Sequence, residues 1–144
     1  MTSKELITFT FENKQYILQK NPHILVIRLS ALGDVAMTVP IIRVFVKQYP
    51  TAKITVVSKA FLSPLFNSIE NVEFFAADVK GKHKGLFGIF KLYKELRKLN
   101  FTHIADLHNV LRSKILRFFF NFSSVKKAFL DKGRSEKKAL TRTE

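Results

Sequence analysis

Residue types able to do chemistry meet in Arg28-Leu29-Ser30-Ala31-Leu32-Gly33-Asp34, where a hydroxyl and a carboxylate flank one glycine. A carboxylate held in the first turn of a helix stays ionised through the helix dipole and backbone N–H groups, so it can accept a proton from an alcohol brought against it. Gly33 permits close backbone approach. The structural alternative is that Asp34, like Ser30, only caps the helix, a role worth about 1 kcal/mol. A phosphate is the usual guest at a helix start, but a fixed carboxylate repels it. With the Gly-x-Gly-x-x-Gly fingerprint also missing, a dinucleotide-binding domain is disfavoured.

A second such stretch is Asp106-Leu107-His108-Asn109-Val110-Leu111-Arg112-Ser113. Arg112 and Ser113 would open a helix directly after a strand, in position to meet an acceptor or donor phosphate. Asp106, at a strand end, more often fixes a turn. The basic run Lys80-Gly81-Lys82-His83-Lys84-Gly85 places Lys82 and Lys84 on a flexible loop suited to anion capture, or merely solvated. His23, His83, His103 and His108 show no metal-binding spacing, and there is no cysteine, so no metal is expected and no disulfide is available. Phe118-Phe119-Phe120 and Phe122 read as core or domain-interface packing. Arg112, Lys114 and Arg117 around Leu111, Ile115 and Phe118 could also lay their helix on an anionic membrane.

The elements that must position these groups alternate. Residues 23–28 form an apolar, β-branched run typical of a strand buried on both faces. Residues 33–48 follow with helical spacing of Val35, Val39, Ile42 and Val46, interrupted by Pro40, which should kink the helix, and ended by Pro50. Further strands are expected at 52–58, 72–75, 102–106 and 125–130, with helices at 61–67, 83–99 and 110–120. In the 83–99 helix, Leu86, Ile89, Phe90, Tyr93 and Leu96 would share the apolar face. This order predicts an α/β fold, a doubly wound parallel sheet. Residues 1–22 read as an N-terminal extension that could form a hairpin, 23–130 as one Rossmann-like domain, and 131–144 as a linker or tail.

At 144 residues a single core is feasible. The first 20 residues lack a signal-peptide pattern, and every apolar run is broken short of a membrane span, so a cytoplasmic protein is expected. The net charge of +14 is uneven. Residues 1–78 hold 8 Lys/Arg against 6 Asp/Glu, and residues 79–144 hold 17 against 5, so +12 lies in the second half. Such a field attracts polyanions without choosing among them.

Ile24-Leu25-Val26-Ile27-Arg28-Leu29-Ser30-Ala31-Leu32-Gly33-Asp34-Val35, with Thr38-Val39-Pro40 and Tyr49-Pro50 behind it, resembles the opening of the heptosyltransferases of glycosyltransferase family 9. The segment from Asp106 to Ser113 is similar to that family's second characteristic stretch. The resemblance implies the N-terminal, acceptor-side Rossmann-like domain of a metal-independent, inverting GT-B enzyme, with the donor held mainly by a C-terminal domain. It implies Asp34 as general base, and ADP-heptose as a donor substrate rather than a cofactor. The implied acceptor is a lipopolysaccharide core or lipid A hydroxyl at the cytoplasmic face of the inner membrane. Substrate contacts are then expected from Ser30, Gly33, Lys82, Lys84, Arg112 and Ser113. The alternatives are a non-catalytic domain binding nucleic acid or another polyanion, disfavoured because no nucleic-acid-binding signature is present, or a shortened product without activity.

Overall fold

The computed structural model describes residues 7–11, 14–18 and 21–130. Strands β1 (Ile7–Phe11) and β2 (Lys14–Leu18) pair antiparallel as a separate two-stranded sheet. The main sheet holds β3 (His23–Ile27), β4 (Lys53–Ser58), β5 (Val72–Ala76), β6 (His103–Asp106) and β7 (Lys126–Phe129). All are parallel, in the order β5-β4-β3-β6-β7, so the expected doubly wound α/β fold is present.

Successive strand residues point to opposite faces, so a central strand covered on both sides must be apolar throughout. In β3, Ile24 and Val26 enter one core with Val35, Ile42, Val46, Ile54 and Val56. Leu25 and Ile27 enter the other, with Ile89, Leu92, Leu96, Ile104 and Leu116. The first layer belongs to α1 (Leu32–Ala36), α2 (Thr38–Gln48) and a 3-10 helix at Ala60–Leu65, which replaces the helix expected at 61–67. The second belongs to α3 (Gly85–Arg97) and α4 (Leu111–Phe119).

Two expectations need correcting. The helix after β3 breaks at Met37, one residue before α2 begins, not at Pro40. Pro40 lies in the first turn of α2, where a missing N–H costs nothing. Helix α3 starts at Gly85, whose φ is +67°, and not at His83. Its buried stripe is Gly88, Ile89, Leu92 and Leu96, while Leu86 and Phe90 are exposed. Gly88 sets this rotation: a Cβ there would lie 2.2 Å from the His83 carbonyl carbon, so only glycine lets the helix rest on that backbone.

The chain runs from β3 outward to β4 and β5, then crosses back to place β6 on the other flank of β3. The turns after β3 and β6 therefore diverge from adjacent strands at the carboxyl edge. A crevice opens at such a switch point, where α/β sheets bind ligands.

Candidate active site at the carboxyl edge

The turn after β3 is built around Arg28. Its N–H donates to the Val57 carbonyl at 3.1 Å and its own carbonyl accepts the Ser58 hydroxyl at 2.6 Å, which ties it to β4. Its guanidinium, largely buried, reaches across to donate to the Leu107 carbonyl beyond β6. The same guanidinium lies 3.8 Å from Asp34 Oδ2, and the Ser30 hydroxyl donates to that oxygen. Asp34 is the third residue of α1, and its side chain is 53% exposed. The N-cap is Ala31, with no side-chain cap, so Ser30 braces the carboxylate instead of starting the helix. Over Gly33 the space is open: a Cβ would meet nothing within 4 Å, and φ is not positive. Neither internal packing nor backbone conformation accounts for a glycine there.

Asp106, at the end of β6, is fully buried. Its Oδ1 accepts the N–H groups of His108 at 3.0 Å and Asn109 at 2.8 Å, and its Oδ2 lies 2.9 Å from Arg117 Nε. Asn109, at φ +45°, accepts from Arg117 at 3.1 Å and donates to the Leu130 carbonyl at 2.7 Å. The Arg117 guanidinium is further covered by the Phe129 ring at 4.4 Å. Asp106 therefore organises the turn, as strand-end aspartates commonly do.

Of the other expected contacts, Ser113 is fully buried. Its hydroxyl accepts the Val110 N–H and donates to the Val110 carbonyl, each at 3.0 Å. With its hydroxyl engaged by Val110 in both directions, Ser113 braces the start of α4 and so positions Arg112, which is partly exposed one residue earlier. The basic loop is stitched to itself and to α3. Asp78 accepts from the N–H groups of Gly81 at 2.9 Å and Lys82 at 3.1 Å, bonds that pull its carboxyl below the usual range. Buried His83 accepts the Asp78 N–H on Nδ1 at 3.0 Å and meets Glu95 at 3.3 Å through Nε2. Lys82 pairs with Glu95 at 2.5 Å and holds that carboxyl low; Lys84 is exposed.

The turn after β3, the turn after β6 and the basic loop after β5 thus share the carboxyl edge. The loop follows β5, which lies two strands from β3 in the sheet. Sequence reasoning missed Arg28 as a site residue; its signal was an arginine at a strand end six positions before the carboxylate. Among the described residues no group of three or more His, Asp or Glu side chains could hold a metal ion.

The fold has counterparts among solved structures. The glycosyl transferase family 9 structure from Veillonella parvula superposes with a TM-score of 0.63 at 25% identity, covering 77% of this chain and 37% of that one. The likeness is to glycosyltransferase family 9. Heptosyltransferase WaaC of E. coli with ADP-2-deoxy-2-fluoro heptose shares the fold, with a TM-score of 0.59 at 18% identity over 76% of this chain and 36% of that one. Among curated proteins, the lipopolysaccharide core heptosyltransferase OpsX of Haemophilus influenzae is 29% identical over 92 residues, 63% of this chain. The chain spans a quarter of that relative's length. No family model matches the chain. The Rossmann-like α/β fold inferred from the sequence is thus shared with these glycosyltransferase structures.

Proposed function

We propose that the chain is the acceptor-side part of a heptosyltransferase-like enzyme that moves a sugar from a nucleotide-sugar donor, ADP-heptose, to a hydroxyl of the lipopolysaccharide core, with Asp34 as the general base. The observation that carries this is the state of Asp34: half exposed at the carboxyl edge, steered by Arg28 and Ser30, beside the open space over Gly33. The carboxylate accepts the acceptor hydroxyl's proton, and the oxygen forms its new bond to the anomeric carbon. The bond from that carbon to the donor phosphate breaks, and ADP leaves with the electron pair from the face opposite the attack, inverting the centre.

Exposed Lys84, the outward part of Lys82 and Arg112 provide cations at the same edge for phosphates and carboxylates of the acceptor or donor. An acceptor carried by lipid A would place the enzyme at the cytoplasmic face of the inner membrane. No metal takes part in this reading.

The test is sugar transfer by the full-length protein from ADP-heptose to a core acceptor. Asp34→Asn should lower kcat by roughly 10²- to 10⁴-fold with the fold intact. Unchanged transfer would remove Asp34 from the role of base.

A further inference from the structure

Away from the Asp34 turn, the outward surface of α3 and α4 carries side chains that neither the core nor the site uses. Phe87 is 93% exposed and Phe122 86%. Leu86, Phe90, Leu111 and Phe118 are exposed with them. Positions 86, 87 and 90 share one side of α3, and positions 111 and 118 one side of α4. Rings bridge the two helices: Phe90 lies 5.4 Å from Phe119, Phe119 6.3 Å from Phe118, and Phe118 6.3 Å from Phe122.

The charge around this surface has one sign. Residues 84–122 contain eight Lys/Arg and two acids. Glu95 is engaged by Lys82 and His83, and Asp106 is buried against Arg117. Lys84, Lys91, Lys94 and Lys114 are exposed, Lys94 lying 5.0 Å above the Phe90 ring.

From this we infer that the α3–α4 surface docks on an anionic lipid bilayer, with the phenylalanines and leucines entering the interface and the lysines meeting acidic headgroups. Large exposed apolar groups ringed by cations are the features that hold a peripheral protein in a membrane interface. A single-stranded nucleic acid would exploit aromatic rings and lysines too, but it gains no stacking from Leu86 and Leu111, which acyl chains accept readily. Both helices begin at the carboxyl edge, so docking would leave the Asp34 turn beside the bilayer rim. The inference deepens the transferase reading by giving the lipid-borne acceptor's membrane a contact face, and its test needs no transfer.

The full-length protein is sedimented with phosphatidylcholine vesicles with and without phosphatidylglycerol, and titrated with a single-stranded oligonucleotide. Binding should require phosphatidylglycerol. Phe87→Ser with Phe122→Ser should weaken it roughly tenfold or more, and Lys91→Glu with Lys114→Glu should abolish the preference for anionic lipid. These exposed changes should leave the thermal midpoint unmoved. Asp34→Asn should bind vesicles like the parent, so failed transfer and failed docking are read separately. The proposal falls if vesicle binding is absent or insensitive to both pairs of substitutions. It falls equally if the oligonucleotide is bound in place of vesicles, or if the phenylalanine substitutions only dissociate a dimer that ignores lipid.

Discussion

The turns after β3 and β6 leave neighbouring strands at one end of the sheet; the first leads to Asp34 in α1, and the second starts from Asp106. Around Asp106 every contact points inward: two backbone N–H groups, a buried guanidinium, and an asparagine in the left-handed region that fastens the turn to Leu130. Around Asp34 a guanidinium and a hydroxyl steer one carboxylate oxygen while half of the side chain faces solvent. Both acids have basic partners, so charge pairing does not separate a structural carboxylate from one available for proton transfer; access does. Arg28 makes the two turns interdependent, since the guanidinium that approaches Asp34 also holds the Leu107 carbonyl beside Asp106.

The contrast is tested most severely by Asp106→Ala, which leaves Arg117 as a buried charge without its carboxylate. It should cost about 3–5 kcal/mol in urea unfolding, whereas Asp34→Ala should stay within about 1 kcal/mol. Equal losses would erase the distinction. Arg28→Met removes the bridge between the turns; transfer should fall about tenfold in kcat, together with a stability loss of about 1–3 kcal/mol from the unsatisfied Leu107 carbonyl. An effect on stability without one on kcat would confine Arg28 to the fold.

Ser113→Ala should cost about 1 kcal/mol by removing the cap of α4, with KM for the acceptor little changed. A large rise in KM at unaltered stability would make Ser113 a substrate contact. The smallest expected effect lies at the opposite, amino end of the sheet. Burial, with Lys126 nearby, lowers the pKa of His103 from its ordinary 6.5, and burial likewise lowers that of His23. Below pH 6.5 the unfolded chain binds protons that the folded one refuses, so stability present above that pH should decline as pH falls toward the lowered folded-state values. His103→Gln should flatten that decline in urea midpoints measured across the window, leaving the later acid loss from Asp78 and Glu95 in place.

Much of the fold was legible because its signals are local. A doubly covered strand has to be apolar at consecutive positions, as in Ile24-Leu25-Val26-Ile27, and the strand-to-helix alternation follows from period and turn residues. The buried face of α3 was misread because periodicity tolerates either of two neighbouring stripes, and Gly88 chooses between them only through contact with His83. The bonds of Ser113 to Val110 were not legible for a similar reason: a hydroxyl at a helix start serves a cap or a ligand equally well in sequence.

By itself the sequence determined the order of strands and helices, the position of the Ser30-to-Asp34 turn at the ligand edge, and the residue types present there. Tertiary structure alone decided that Asp34 faces solvent while Asp106 is sealed, that Lys82 is engaged by Glu95, and that Arg28 reaches Leu107, 79 residues away in the chain. Residue types and spacings are encoded locally, but exposure and pairing depend on which distant strands the sheet brings side by side.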